Sequence, residues 1–277
     1  MYIGLSSGLQ THSSPGKDNL IGTRLDGVPT ISDSTPDNPP NDPGPRFLCP
    51  ALPDSPGSTV TLDADQARHA SRVLRLSEGS AVQLIDGKGR IAQATLTGDD
   101  PRSTQCVIHA IKTAPAPRPV IELATAIPKG PRGDAMVNDL AQLGVDRLIP
   151  LQTQRSVVRP RPTKLQRFAK AAAEAAKQSG RAWFLQVEET AALTDVLACD
   201  AGLKLIADPY AEPICDLPDR LDSVSTARIV VGPEGGLTDE ELAQARDAGF
   251  VPWRYSPNVL RIETAAAAAV AILRSHA

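Results

Sequence analysis

The chain has 277 residues, which suffices for one or two domains, a net charge of −3 and only 3% aromatic residues. No apolar run approaches the roughly 20 residues of a membrane span, and the amino terminus lacks the charged and apolar regions of a secretory signal. The net charge is unlike that of many nucleic-acid-binding proteins, and the low aromatic content argues against base recognition dominated by stacking.

Cysteine and histidine spacing gives no metal-binding motif. The four cysteines and four histidines are scattered, and no two cysteines form a Cys-x-x-Cys pair. We therefore expect free thiols in a cytoplasmic protein that holds no metal and does not contact a membrane.

Residues 1–45 are predicted to be a disordered amino-terminal extension. Five prolines fall within residues 36–45, and glycine, serine, aspartate and asparagine are frequent. Such a segment cannot bury enough apolar surface to offset the entropy lost on ordering. A translation start assigned too far upstream and a functional arm are the alternatives.

Residues 46–112 are predicted to form a small β-barrel with one helix at 65–76. The predicted strands are 60–62, 82–86, 90–96 and 106–111. Arg68, Arg72 and Arg75 are four and three residues apart, which places them on one face of the predicted helix. These arginines are candidates for contacts with RNA phosphates. A solvated basic face is the alternative.

Residues 113–119 are proline-rich and are predicted to be a linker, after which residues 120–277 form an α/β domain. The domain begins with a β-α-β unit, whose predicted elements are the strand 120–127, the helix 134–143 and the strand 145–151. Lys129 and Arg132 lie in the turn before the helix and are candidates for substrate contact.

A basic stretch follows the second strand of this unit and leads into a helix that is predicted to begin with Thr163 as its cap. Arg155 and Arg159 lie between strand and helix, so we expect them to contact phosphate or substrate. The alternative is a solvated basic loop and helix face.

Further strands are predicted at 183–187 and 203–207, with a helix at 191–198 between them. The second strand ends at a sheet edge of the kind where α/β proteins bind ligands. Leu205 and Ala207 are therefore candidates to offer backbone atoms to a cofactor, whereas ordinary sheet core is the better interpretation of their side chains.

A glycine-rich turn follows the apolar strand 228–231. Gly235 and Gly236 permit positive φ and allow another molecule to lie against bare backbone. Thr238 and Glu241 have the spacing of a capping box, which predicts a helix directly after the turn. A tight turn that merely needs glycine is the alternative.

A second loop, residues 256–264, leads into an alanine-rich helix predicted at 265–275. The turn Gly-Pro-Glu-Gly-Gly at 232–236, followed by Val-Leu-Arg-x-Glu-Thr-Ala at 259–265, resembles the SPOUT superfamily of methyltransferases. More narrowly, the chain resembles the ribosomal RNA small subunit methyltransferase E family. The stretch His-Ala-Ser-Arg-Val-Leu-Arg-Leu at 69–76 is similar to the PUA-like domain of the same family.

The resemblance implies a fold and an activity. The expected fold is an α/β domain with a deep trefoil knot, preceded by a small PUA-like β-barrel. The expected reaction is S-adenosylmethionine-dependent methylation of N3 of one uridine in 16S ribosomal RNA within the small ribosomal subunit, by a homodimer. We expect Arg261 to stabilise the anion formed when N3 loses its proton. Glu263 is expected to accept that proton or to orient Arg261.

The resemblance also implies the cofactor-binding residues, chiefly through their backbone. They are Leu205, Ala207, Gly232, Pro233, Glu234, Gly235, Gly236, Leu237, Leu260 and Thr264. The expected RNA contacts are Arg68, Arg72, Arg75, Lys129, Arg132, Arg155 and Arg159.

Three residues depart from the family pattern: Gln142 stands where an acid is usual, Asn258 where an arginine is usual and Ile262 where a threonine is usual. Two other functions remain open. One is a SPOUT enzyme acting on a ribose hydroxyl or a different base, and the other is an RNA-binding ribosome-assembly protein that does not methylate. A nicotinamide enzyme is disfavoured because no Gly-x-Gly-x-x-Gly follows a strand.

Overall fold

The computed structural model describes residues 44–98, 100, 103–214 and 216–276. The predicted extension therefore lies outside the described residues, apart from its last two positions. Within the described residues no helix is both long and apolar enough to cross a membrane.

The first part of the described chain forms a five-stranded sheet in the order β1-β3-β4-β5-β2. The strands are β1 Arg46–Leu48, β2 Thr59–Thr61, β3 Ala81–Ile85, β4 Arg90–Leu96 and β5 Gln105–Thr113. β1 runs parallel to β3, and the other pairs are antiparallel. One face packs a core that includes Phe47, Leu84, Leu96 and Ile108. The predicted strands are confirmed, whereas closure into a barrel stays a prediction.

The predicted helix at 65–76 is wrong in its second half. Helix α1, Ala64–Arg68, begins at Asp63, whose carboxylate accepts the N–H groups of Asp65 and Gln66, and a π-helical turn, His69–Val73, follows. The wider π turn breaks the 3.6-residue period, and Arg75 lies beyond it with φ 54°. The three arginines of this region consequently do not share one helical face, although all three are exposed.

The second part forms a parallel sheet in the order β12-β10-β11-β6-β7-β8, with β9 also paired to β7. Its strands are β6 Val120–Thr125, β7 Arg147–Gln152, β8 Gln186–Val187, β9 Ala191–Ala192, β10 Leu203–Ala207, β11 Thr226–Val231 and β12 Val251–Trp253. The strands β6, β10 and β11 are nearly continuous apolar runs, as expected for a sheet covered on both faces.

Six helices accompany this sheet in the described residues. They are α2 Arg132–Leu143, α3 Pro162–Ser179, α4 Leu193–Leu197, α5 Leu217–Asp222, α6 Asp239–Asp247 and α7 Ile262–Ser275. Core residues of α2, α3, α5 and α7 belong to one apolar cluster with the sheet, and those of α4 and α6 belong to another.

Several boundaries differ from those predicted. Thr163 does not cap α3, because Pro162 already occupies the first helical turn and Arg161 is the N-cap residue. The predicted strand 183–187 is reduced to β8, and the predicted helix 191–198 is preceded by the short strand β9. Helix α5 was not predicted.

Register places the loops of the predicted site side by side. Ile206 pairs with Val230, and Ala207 pairs with Trp253. Since the three strands are parallel, the segments that follow β10, β11 and β12 leave the same edge of the sheet. This is the edge where open α/β sheets bind their ligands.

Candidate active site

A cavity of about 560 Å³ lies at the carboxyl ends of β10, β11 and β12. Its wall combines the glycine loop, residues 232–237, with the loop before α7, residues 254–261. From the first loop the lining residues are Gly232, Pro233, Glu234, Gly235, Gly236 and Leu237. From the second they include Asn258, Val259, Leu260 and Arg261. Gly235 and Leu260, far apart in sequence, therefore face one shared space.

The glycine loop is held in a tight turn. The Gly236 N–H donates to the Pro233 carbonyl at 2.9 Å, and Gly236 has a φ of 70°, which favours glycine. A Cβ added at Gly232 would lie 3.0 Å from Leu237 Cγ, so a larger residue there would displace the cavity wall.

The capping box predicted from Thr238 and Glu241 is confirmed. The Glu241 N–H donates to Thr238 Oγ1 at 3.2 Å, and the Thr238 N–H donates to Glu241 Oε2 at 2.9 Å. The chain is thereby fixed directly after the glycine loop, where α6 begins.

The second loop is tied to α7 through Tyr255. Its hydroxyl donates to the Ala265 carbonyl at 3.1 Å, and its ring packs on Trp253 with centroids 4.5 Å apart. Burial raises the pKa of the Tyr255 hydroxyl, so this donor stays protonated. Ile262 is buried at the start of α7 and lines the cavity, and Asn258 donates its N–H to Ser256 Oγ at 3.1 Å.

Three charged side chains near the rim form a bridge between the loops. Arg132 places Nη2 3.4 Å from Glu234 Oε1 and Nη1 3.3 Å from Glu263 Oε1. The other oxygen of that second carboxylate, Glu263 Oε2, is buried and has no hydrogen-bond partner among the described residues. This buried acceptor next to the cavity lining is thereby left with unused capacity.

Arg261, like Arg254, lines the cavity with a guanidinium that no hydrogen bond or ion pair engages within the described residues. It is the N-cap residue of α7, is exposed and lines the cavity. Within the described part of the chain no hydrogen bond or ion pair holds its side chain. Its donors are consequently available to a negatively charged group at the cavity rim.

Arg155 has an unexpected position. Its Nη1 donates to the Gly235 carbonyl at 2.9 Å and to the Leu237 carbonyl at 3.3 Å, and the residue lines the cavity. Its position between a strand and a helix predicts contact with phosphate or substrate, and that contact stays a prediction. Its observed acceptors are backbone atoms of the glycine loop.

Among the residues predicted to bind the cofactor or to take part in catalysis, three lie outside the cavity lining. Leu205 is fully buried, and its side chain belongs to the apolar cluster that the sheet shares with α2, α3, α5 and α7. Thr264 is exposed on α7, and Glu263 reaches the site through Arg132 rather than through the wall. Ala207 lines the cavity, and its contact with the cofactor stays a prediction.

The other predicted RNA contacts, Lys129 and Arg159, are exposed, and their contact with RNA stays a prediction.

Sequence reasoning missed several lining residues, namely Asp208, Pro209, Tyr210, Trp253, Arg254 and Tyr255. The first three directly follow Ala207, so the predicted end of the strand there could have indicated that they line the site. Among the described residues no group of three or more histidine, cysteine, aspartate and glutamate side chains is placed to hold a metal ion.

Two known sequence families match the chain. An RNA methyltransferase domain matches residues 115–274, and an RNA methyltransferase PUA domain matches residues 62–108. The first match covers the larger parallel sheet, and the second covers β3, β4 and the first part of β5 in the smaller sheet.

Individual relatives match over most of the chain. The ribosomal RNA small subunit methyltransferase E of Mycobacterium bovis is 30% identical over 235 residues, covering 81% of this chain and 88% of that protein. The Synechocystis protein of the same name is 31% identical over 220 residues, covering 77% and 72%. The solved structure of the Neisseria gonorrhoeae protein of that name, bound to S-adenosyl methionine, is 31% identical with a TM-score of 0.75, covering 84% of this chain and 97% of the other.

Proposed function

The chain belongs to the ribosomal RNA small subunit methyltransferase E family, and we propose that it methylates N3 of one uridine in 16S ribosomal RNA within the small ribosomal subunit, using S-adenosylmethionine. The observation that carries this proposal is the single cavity shared by the glycine loop and the loop before α7, with an unengaged arginine at its rim. A relative with 31% identity binds S-adenosyl methionine.

The cavity fits such a cofactor in size and chemistry. Its volume of about 560 Å³ lies within the usual range for small-molecule sites. Val231, Leu237 and Trp253 supply apolar surface, while the glycines let a ligand approach the backbone. When bound, S-adenosylmethionine supplies an electrophilic methyl group. The residues of the chain then have to align N3 of the uracil with this methyl group and to accept the proton that leaves N3. Positioning of the two reactants supplies much of the rate.

Uridine N3 carries a proton at neutral pH, so methylation there requires a proton to leave. We assign Arg261 to stabilising the developing uracil anion, because its donors have no competing partner in the described residues. Glu263 Oε2 is suited to accept the proton, because Arg132 engages the other oxygen and leaves this one without a partner. Arg132 then acts as a positioning residue for Glu263.

The expected architecture and partners extend this proposal. We propose that the carboxyl-terminal segment forms the trefoil knot of the SPOUT superfamily and that the chain acts as a cytoplasmic homodimer. We further propose that residues 46–112 close as a PUA-like RNA-binding barrel, joined by a linker at 113–119 to a methyltransferase domain at 120–277. Arg68, Arg72, Arg75, Lys129 and Arg159 are the proposed phosphate contacts.

The test is transfer of a labelled methyl group to small ribosomal subunits purified from cells that lack the gene, compared with naked 16S RNA. The modified nucleotide is mapped by reverse transcription, because methylation at N3 blocks the Watson–Crick edge and arrests the polymerase. A 2′-O-methyl group leaves that edge intact. We expect one strong stop at a uridine, which should form at least about tenfold more slowly with Arg261→Ala. Label in RNA without a stop would support the ribose alternative, and cofactor binding without any transfer would support an assembly protein.

A further inference from the structure

Two consecutive residues that follow β7, Gln154 and Arg155, hold the start of α6 and the glycine loop. The Gln154 N–H donates to Glu241 Oε1 at 2.8 Å, which is a carboxylate of the capping box. Arg155 donates to the carbonyls of Gly235 and Leu237, and a Cβ added at Gly235 would lie 3.3 Å from Arg155 Cβ. The loop and the start of α6 are thus both fixed to one short stretch of chain.

The same stretch continues as a basic segment, residues 156–161, that is anchored on its inner side. Ser156 Oγ accepts the Thr153 N–H at 2.9 Å, Val158 packs against the main core and Pro160 is buried. Val157 and Arg159, which lie between these anchors, and Arg161, which follows the last of them, are exposed. An anchored backbone that presents cationic side chains outward suits contact with a phosphate chain.

We propose that Gln154 and Arg155 couple RNA binding on the basic segment to cofactor binding at the glycine loop, so that RNA and cofactor bind with positive cooperativity. The inference rests on the proposed function, because it takes RNA as the ligand of the basic segment. Arg155 is then a positioning residue whose guanidinium remains on the loop carbonyls when RNA is bound, not a phosphate ligand.

The physical basis of the coupling is shared order. RNA phosphates that hold Arg159 stabilise the basic segment in its anchored arrangement, and the contacts of Gln154 and Arg155 extend that stabilisation to the glycine loop. A cofactor that meets an already ordered loop loses less entropy on binding. By linkage, the cofactor strengthens RNA binding by the same factor.

The experiment measures S-adenosylhomocysteine affinity with and without saturating unmethylated small ribosomal subunits, because this demethylated product binds without turnover. We expect the subunits to strengthen its binding at least about fivefold, the lower end of typical coupling between sites. In Arg155→Ala the factor should fall toward one. Arg155→Lys keeps the charge and the aliphatic stem, and it serves as the second variant if alanine disturbs folding.

A salt titration of subunit binding separates the two roles of arginine. Arg159→Gln should lower the slope of log affinity against log salt by about 0.7, as for one lost phosphate contact, while leaving cofactor affinity without RNA unchanged. Arg155→Ala should leave that slope unchanged.

If Arg155→Ala lowered the slope of log affinity against log salt by the amount expected for one phosphate contact, Arg155 would be a phosphate ligand and the inference would be overturned. An unchanged coupling factor in that variant, or no coupling in the natural protein, would also overturn it. A failure of the proposed function would show itself separately, as absence of methyl transfer by the natural protein.

Discussion

The two ends of the parallel sheet hold arginines in opposite states. At the amino end Arg274 donates to the carbonyls of Pro119 and Gly144, and its Nη2 lies 2.6 Å from Asp146 Oδ2. Arg181 places Nη2 2.5 Å from the other oxygen of the same carboxylate. All of these groups are largely buried, and the network locks the carboxyl-terminal helix α7 against the start of β6 and β7.

At the carboxyl end the arginines make fewer contacts. Arg132 makes two longer ion pairs, Arg155 donates to two loop carbonyls, and Arg261 is unengaged within the described residues. The amino end therefore uses its donors to fix the fold, whereas the carboxyl end keeps donors available for ligands. An arginine is a candidate for function when its donors outnumber its partners, and the surrounding charge alone does not decide this.

The largest expected effect is on stability, from Arg274→Met. The change removes one partner of a mostly buried carboxylate and leaves two carbonyls without their donor. Because Arg181 still pairs with Asp146, we expect a loss of about 3 kcal/mol in the free energy of unfolding, at the lower end for broken buried pairs. Denaturant unfolding measures it. Unchanged stability would remove the structural role assigned to the amino end.

The next effect is on turnover, from Arg261→Ala. We expect turnover to fall by at least about tenfold, as when a donor to a developing anion is lost, with cofactor affinity and unfolding free energy almost unchanged. Single-turnover methylation of small subunits provides the rate. If this variant methylated as fast as the natural protein, the arginines at the carboxyl end of the sheet would not have the functional role that separates them from those at the amino end.

A smaller effect is expected from Thr238→Ala, which removes the capping hydroxyl beside the cavity. Loss of an N-cap costs about 1 kcal/mol of unfolding free energy, and we expect weaker cofactor binding because the cap fixes the exit of the glycine loop. Thr238→Ser keeps the hydroxyl and is the matched control. Equal behaviour of the two variants would show that the cap does not contribute.

The smallest effect on the enzyme itself is expected from Gln142→Ala. Gln142 Nε2 donates to Asn138 Oδ1 on the exposed side of α2. Exposed substitutions of this kind change unfolding free energy by less than about 0.5 kcal/mol. We expect turnover to be unchanged as well, so a clear loss of activity would give this position a role that its contacts do not explain.

Local sequence patterns predicted much of the fold because their physics is local. Apolar runs predicted β6, β10 and β11, and the spacing of Thr238 and Glu241 predicted the start of α6. The π-helical turn at 69–73 was not predictable, because its residues would equally suit an α-helix. The left-handed conformation of Arg75 was not predictable either, because few residues other than glycine adopt it.

The site was only partly predictable for a related reason. The glycine loop and the loop before α7 could each be recognised from local residues, but their meeting depends on the register of β10 with its two neighbours. The acceptors of Arg155 are backbone carbonyls 80 and 82 residues away, which no composition reveals. Asp208 and Tyr210 enter the wall because β10 ends there, not because of their type.

The central claim is that the cavity between the two loops holds the methyl donor, and calorimetric titration with S-adenosylmethionine tests it most directly. We expect one saturable site per chain. Gly232→Val should weaken binding, because overpacking against Leu237 costs about 1–3 kcal/mol and displaces the cavity wall, and a loss of this size corresponds to roughly fivefold or more in affinity. Gly98→Ala adds a methyl group where no atom of the described residues, apart from the chain neighbours, lies within 4 Å, and this variant should bind as the natural protein does. No saturable heat with the natural protein, or equal affinity in Gly232→Val, would contradict the account.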